Sequence, residues 1–330
     1  MEVKELLDRY ASGQRDFAEV NLIGAHLTKA HLEGANLAGA SLAGANLSRA
    51  YLYETNLSGA FLYSSNLSFV KLGKGYLTDA DMTKADLRGA FLVKSDLVRA
   101  KLSGAMLAGV NLRSANLSGV NLSGANLSGI NLRSANLTGA NLRWANMTRA
   151  RLSRAVLDGA ILTGINFSKA HLVDVDFHGM DLNGVNFSEA KLQDANFCAC
   201  NLTATNFSGA ELQRVNLQDA ALNGANLKEA NLNEANLSYA ILKRADLSGA
   251  ILRRADLSAA NFNLAILQEA DLSDANLEGA YLWKAELSQA VLRGADLRNA
   301  SLRGATIEGA DLQDANLSGA TWPDGSIARD

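Results

Sequence analysis

Almost everything that interrupts a regular chain is scarce in this sequence. One proline, Pro323, serves 330 residues, so no backbone N–H between two ladder-forming residues is lost to a ring before that point. The two cysteines, Cys198 and Cys200, are too few for a disulfide framework. Four histidines, His26, His31, His171 and His178, lie scattered, with no serine–histidine–acid or paired-carboxylate grouping beyond what repetition produces by chance. No apolar run is long enough to span a membrane. The first residues, Met1 to Leu7, lack the basic region and long apolar core of a signal peptide, so a cytoplasmic location is expected. The net charge of −3 favours no partner class.

What is present is a single register. Every fifth residue from Phe17 to Trp322 is large and apolar, and of those 62 positions 51 are Leu. Two places earlier stands Ala, at 45 of the 62. With the large residue called i, a typical unit is Ala45-Asn46-Leu47-Ser48-Arg49, positions i−2 to i+2. A period of five fits neither a helix at 3.6 nor a strand at 2. It fits a chain that turns in every unit, with i and i−2 inward and the other three residues outward. Glycine agrees: 24 of 28 glycines stand at i+2, where a corner can demand positive φ. The triplets such as Asn46-Leu47-Ser48 mimic glycosylation sequons but are by-products of the repeat.

The motif Ala-[Asn/Asp]-Leu-x-x resembles the pentapeptide-repeat family, over residues 15–322. That resemblance implies an all-β solenoid, a right-handed quadrilateral parallel β-helix of about 15 coils, four units to a coil and ~4.8 Å between coils. The expected organisation is a capping helix in 1–14, the β-helix over 15–322 and a tail from 323 to 330. Leu6, Leu7 and Tyr10 share one face of that helix, which Gly13 ends. Pro323-Asp324-Gly325 reads as a turn. The short tail leaves no C-terminal helix of the kind through which some family members dimerise, so a monomer is expected.

Within the register, Cys198 falls outward and Cys200 inward, so the two diverge and no metal site is expected. Phe167, Phe177, Phe187, Phe197 and Phe207 occupy i at ten-residue spacing. Neighbouring i−2 residues are enlarged too, as at Val175, Met180, Val185 and Val215. A widened, filled core is expected there rather than a ligand cavity. At Gly73-Lys74-Gly75 a phosphate loop is excluded by spacing, and a kink or loosened corner is expected.

Sides one, two, three and four are the units centred on Phe17, Leu22, Leu27 and Leu32 and on every twentieth residue after each. Side four concentrates basic and aromatic residues outward: Tyr51, Tyr53, Lys71, Lys74, Phe91, Lys94, Arg113, Arg133, Arg151 and Arg154. Only Glu54 opposes them in that stretch, and no Asp or Glu occurs from Leu97 to Leu157. Arg113 and Arg133 are expected on adjacent rungs. Phe61, Tyr63, Phe69 and Tyr76 add outward rings nearby. Rings beside cations suit a protein interface, less readily nucleic acid, and otherwise a solvated ladder. Further on, Glu229, Asp246, Glu269, Glu286 and Glu308 make an acidic stripe on side three.

No enzyme activity and no cofactor are expected of a filled coil without a cleft. The family resemblance implies binding instead. Some members protect DNA gyrase by mimicking duplex DNA, which needs a strongly acidic surface that this chain lacks; a topoisomerase-interacting role and a purely structural one stay as alternatives. The stretches Leu6 to Phe17 and Ala320 to Ser326 look like the ends of cyanobacterial members. Among these a heterocyst-differentiation regulator binds regulatory proteins. The expectation is therefore a non-catalytic protein-binding scaffold, with regulatory protein partners and neither nucleic acid nor membrane.

Overall fold

The computed structural model describes residues 1–328, in two compact units, Met1–Asn166 and Phe167–Asp330. Each unit is right-handed quadrilateral β-helix. Its sheets are single-residue parallel bridges in which each i−1 residue pairs with the one 20 positions on, as Asn36 with Asn56 and Asn216 with Asn236. Twenty residues thus close one coil of four units.

The corner geometry explains the period. The C=O of residue i accepts the N–H three residues on, as Leu22 does from Ala25 at 3.0 Å. The residue at i+2 has φ between 52° and 72° in every unit from Glu19 to Gly319, the positive φ that a type II turn requires at its third residue. Glycine takes this conformation freely, yet 37 non-glycine residues adopt it as well, at roughly 1 kcal/mol each. The ladder holds them there: the i+2 N–H donates to the i+1 carbonyl of the next coil, as Lys29 does to Ser48 at 3.0 Å. Asn or Asp at i−1 supplies a further tie. Its Oδ1 accepts the i+1 N–H, as Asn46 does from Ser48 at 3.1 Å, and its amide reaches the preceding rung, as Asn56 reaches Asn36 at 3.1 Å.

Inside, the Leu and Ala columns are almost wholly buried. Where i−2 is polar, its hydroxyl donates to a backbone carbonyl: Thr55 to Leu32 at 2.9 Å and Ser95 to Leu72 at 2.7 Å. Cys200 does the same with Phe177, and burial pushes its thiol up to about 11; Cys198 faces outward and is half-buried. The phenylalanines of unit 2 fill their coils. Phe167, Phe187 and Phe207 stack at 5.3 and 5.2 Å, Phe177 and Phe197 at 4.7 Å, and the two columns meet edge to face. Val175, Val185 and Val215 are buried beside them, while Met180 is only half-buried.

Helix α1 (Val3–Ala11) precedes the first coil. Leu6 is fully buried, and the first-coil residues Phe17, Leu22 and Leu27 are nearly so. The Tyr10 hydroxyl ties α1 to the coil by donating to Glu33 O at 2.8 Å, and Arg15 lies over the Tyr10 ring. Gly13, at φ 100°, ends the helix. In unit 2 the Trp322–Gly325 turn brings Ile327 antiparallel to Thr321. Of the tail expected over 323–330, residues 329 and 330 lie outside the described residues.

Candidate protein-binding face

Side four of unit 1 is built by the rungs His31, Tyr51, Lys71, Phe91, Asn111, Asn131 and Arg151, each bridged to the next. Stacked rungs force like columns of side chains together. The His31 and Tyr51 rings lie parallel at 4.3 Å, and Lys71 Nζ sits 4.5 Å from the Tyr51 ring centre. One column over, Lys74 Nζ stands 5.4 Å from the Tyr53 ring and 3.2 Å from Glu54 Oε1. Hydrogen bonding to Tyr53, then to Glu54, holds that ammonium above the ordinary lysine range.

Between these columns lies a hollow of about 400 Å³ lined by Glu33, Tyr51, Tyr53, Lys71, Gly73 and Phe91. Its floor is Gly73. A Cβ there would stand 3.2 Å from both the Tyr53 and Phe91 rings, so the missing side chain is what admits them. The expected kink is absent. Lys71 pairs with Tyr51 and Phe91 in unbroken register, and the corner bond from Gly75 N to Leu72 O is 3.3 Å, against 3.1 Å at the two corners on either side of it. Gly75 has its own steric reason, since a Cβ there would overlap the Leu72 side chain. Glu33, outside the window that singled out side four, adds a second carboxylate at this end and contacts His31 at 3.2 Å.

Beyond the hollow the face turns basic. Lys94, Arg113, Arg133 and Arg151 are exposed, and among the described residues none of these four has an ion-pair partner. Arg113 and Arg133 stand on adjacent rungs, fixed by backbone bonds to Asn111 and Asn131. Arg154 is exposed as well. The basic character is wider than one side: Lys101 and Arg143 stand on side two and Arg149 on side three, all exposed. Trp144, 69% exposed, lies on side two over Gly164. In unit 2 the acidic stripe is partly neutralised, because Lys228 pairs with Asp246 at 3.0 Å; Glu286 accepts a hydrogen bond from Gln268 at 2.8 Å and keeps its charge.

Sequence reasoning missed a second aromatic face. On side two of unit 2, Ile241, Leu264, Tyr281 and Trp283 are exposed. A groove of about 580 Å³ runs there past Lys243, Arg244, Asn263, Leu264 and Trp283. These residues recur at 20-residue spacing, so the column register alone brings them onto one side.

Comparison with known proteins bears on the whole chain. The family model described as pentapeptide repeats (8 copies) matches nine segments between 16–52 and 285–321, and that described as pentapeptide repeat region matches 150–227. Among solved structures, HetL is 32% identical to the chain. It is a pentapeptide repeat protein involved in heterocyst differentiation regulation from the cyanobacterium Nostoc sp. strain PCC 7120, and the alignment covers 99% of this chain and 100% of HetL with a TM-score of 0.15. QnrB1, a plasmid-mediated fluoroquinolone resistance protein, is 20% identical over 55% of this chain and 90% of its own, with a TM-score of 0.36. A pentapeptide repeat protein of the Arabidopsis thaliana thylakoid lumen is 26% identical over 46% of this chain and 70% of its own, with a TM-score of 0.18. No curated protein sequence matches. With repeat matches running from residue 16 to residue 321, the chain belongs to the pentapeptide-repeat family.

Proposed function

We propose that the protein is a non-catalytic scaffold that binds a regulatory protein through side four of its first unit. One observation carries the reading: the aromatic hollow floored by Gly73 runs directly into Lys94, Arg113, Arg133 and Arg151, exposed cations with no carboxylate partner among the described residues. Such a face suits a partner that places an apolar side chain against Tyr53 and Phe91 and carboxylates against Lys94, Arg113 and Arg133. Buried rings supply most of the affinity at such interfaces, and unpaired charges supply orientation and on-rate. The likeness to HetL supports a regulatory setting of the kind its description names. We place the chain in the cytoplasm, acting as a monomer. The same cations oppose a DNA-mimicking role, which needs carboxylates where side four presents arginines.

The test is affinity capture from source lysate with wild type and an Arg113→Glu/Arg133→Glu variant, followed by titration of the purified partner. Both side chains point outward, so the fold survives the exchange. Loss of about tenfold or more in affinity, with weaker binding at higher salt, is expected. Equal affinity of both proteins removes side four. Titration with duplex DNA at low and high salt covers the remaining class: tight, salt-sensitive DNA binding through the same arginines would replace the protein reading.

A further inference from the structure

The cations of unit 2 divide sharply by side. Twelve Lys and Arg lie among its described residues. Eight of them, all on sides one, three and four, stand within ion-pair distance of a carboxylate. The other four, Lys243, Arg244, Lys284 and Arg303, all fall on side two, and none has an ion-pair partner among the described residues. Elsewhere in the unit the repeat places an acid opposite each base, one rung away or next to it. From the unit of Leu202 to that of Leu302 side two has no Asp or Glu in any outward position; Asp324 follows in the unit of Trp322.

The same side groups four exposed large apolar residues, while Tyr239 on side one and Ile327 after the last unit are exposed singly. Ile241, Leu264, Tyr281 and Trp283 are 36–53% exposed. Asn263 leaves room between the Lys243–Arg244 pair and the Trp283 ring, and Asn223 and Gly224 extend the groove one rung beyond that pair, to about 580 Å³ in all. The Trp283 backbone N–H donates to Asn263 Oδ1 at 2.9 Å, and Lys284 Nζ sits 4.7 Å from the Trp283 ring. Pre-fixed aromatic anchors flanked by cations lower the ordering cost of binding.

We infer that side two of unit 2 is a docking groove for a short, extended acidic peptide segment, with one large apolar side chain seated between Leu264 and Trp283. Charge complementarity decides the occupant: four cations without a carboxylate partner among the described residues take carboxylates on either side of an apolar contact. The span of the cations sets the length. Four rung spacings separate Asn223, at one end of the groove, from Arg303 beyond its other end, about 19 Å, which an extended peptide spans with about six residues. A long nucleic acid fits less well. Lys284 already covers a face of Trp283 that a base would stack on, and Glu269 and Glu286 on side three stand in the path of a longer polyanion. This groove stands on its own residues and does not depend on the side-four reading.

The probe is a fluorescein-labelled acidic hexapeptide with a central leucine, titrated by anisotropy into the full chain. Saturable binding is expected, weakened about tenfold or more by Lys243→Glu/Arg244→Glu and by Trp283→Ala, and weakened again by added salt. Arg113→Glu/Arg133→Glu leaves it unchanged. Lys243→Gln/Arg244→Gln, which removes charge and keeps side-chain length, is expected to weaken it too, and circular dichroism melts confirm that each variant is folded. Absence of saturable binding at low salt overturns the inference, as does binding undiminished in folded Lys243→Glu/Arg244→Glu. An oligothymidine of matched length that binds more tightly, with the same sensitivity to these variants, overturns it in favour of nucleic acid.

Discussion

A methyl group on Gly73 would stand 3.2 Å from Tyr53 and from Phe91, closer than ordinary carbon contacts. The backbone there has no positive φ, so alanine meets no conformational penalty, and only the rings must give way. Gly73→Ala therefore separates binding from folding. The expected result is a lowered affinity for the side-four partner with a stability change of less than about 1 kcal/mol, read from titration and urea melts on the same preparations. Unchanged affinity would mean that the hollow is not used. The sequence shows that a side chain is missing at Gly73, which invites the idea of a loose corner. It does not show which rings, 20 residues before it and 18 after, take the vacated space. Cys200 is the opposite case: register alone sends it inward, because every i−2 residue goes inward.

At the scale of the coil, far more was legible. The period of five requires a turn per unit, and the count of four units per coil follows once the motif is recognised, so inward and outward columns can be assigned residue by residue. The ion pairs were not legible, because a base can meet an acid in its own unit, as Arg88 meets Asp86 at 2.7 Å, or one coil away, as Arg99 meets Asp79 at 2.6 Å. These pairs make a pH prediction. The Arg88 side chain holds Asp86 below the usual carboxylate range, and Arg99 and Arg214 do the same for Asp79 and Asp194. A folded-state pKa below the unfolded value contributes stability that is fully present above the unfolded value and is lost as pH falls through the folded one. Urea midpoints should therefore stay level from neutral pH down to about 5 and fall below about 4, with part of that fall absent in Asp86→Asn. Because Asp79 and Asp194 are largely exposed, most of the effect should come from Asp86 and similar half-buried aspartates. A midpoint that rises on acidification would contradict the assignment.

For the molecule as a whole, a net charge of −3 averages over a basic side four in unit 1 and an unpaired basic side two in unit 2. Composition therefore says little about partners here, and column position says much. Stability follows the same nearest-neighbour logic, because each coil bonds only to the coils 20 residues before and after it. In such a stack a defect at one end opens locally and fades with distance. Helix α1 supplies the defect that tests this. Leu6 is fully buried beside a first coil whose Phe17, Leu22 and Leu27 are almost as well covered. Leu6→Ala should cost about 2–5 kcal/mol at its site. Amide exchange should then quicken at Phe17, Leu22 and Leu27, whose N–H groups donate to Asn36, Ser41 and Asn46. It should change little at Leu102 and Leu122, four coils or more away. Mass-spectrometric exchange on the full chain resolves the two regions, and equal acceleration in both would show that the unit opens all at once rather than coil by coil.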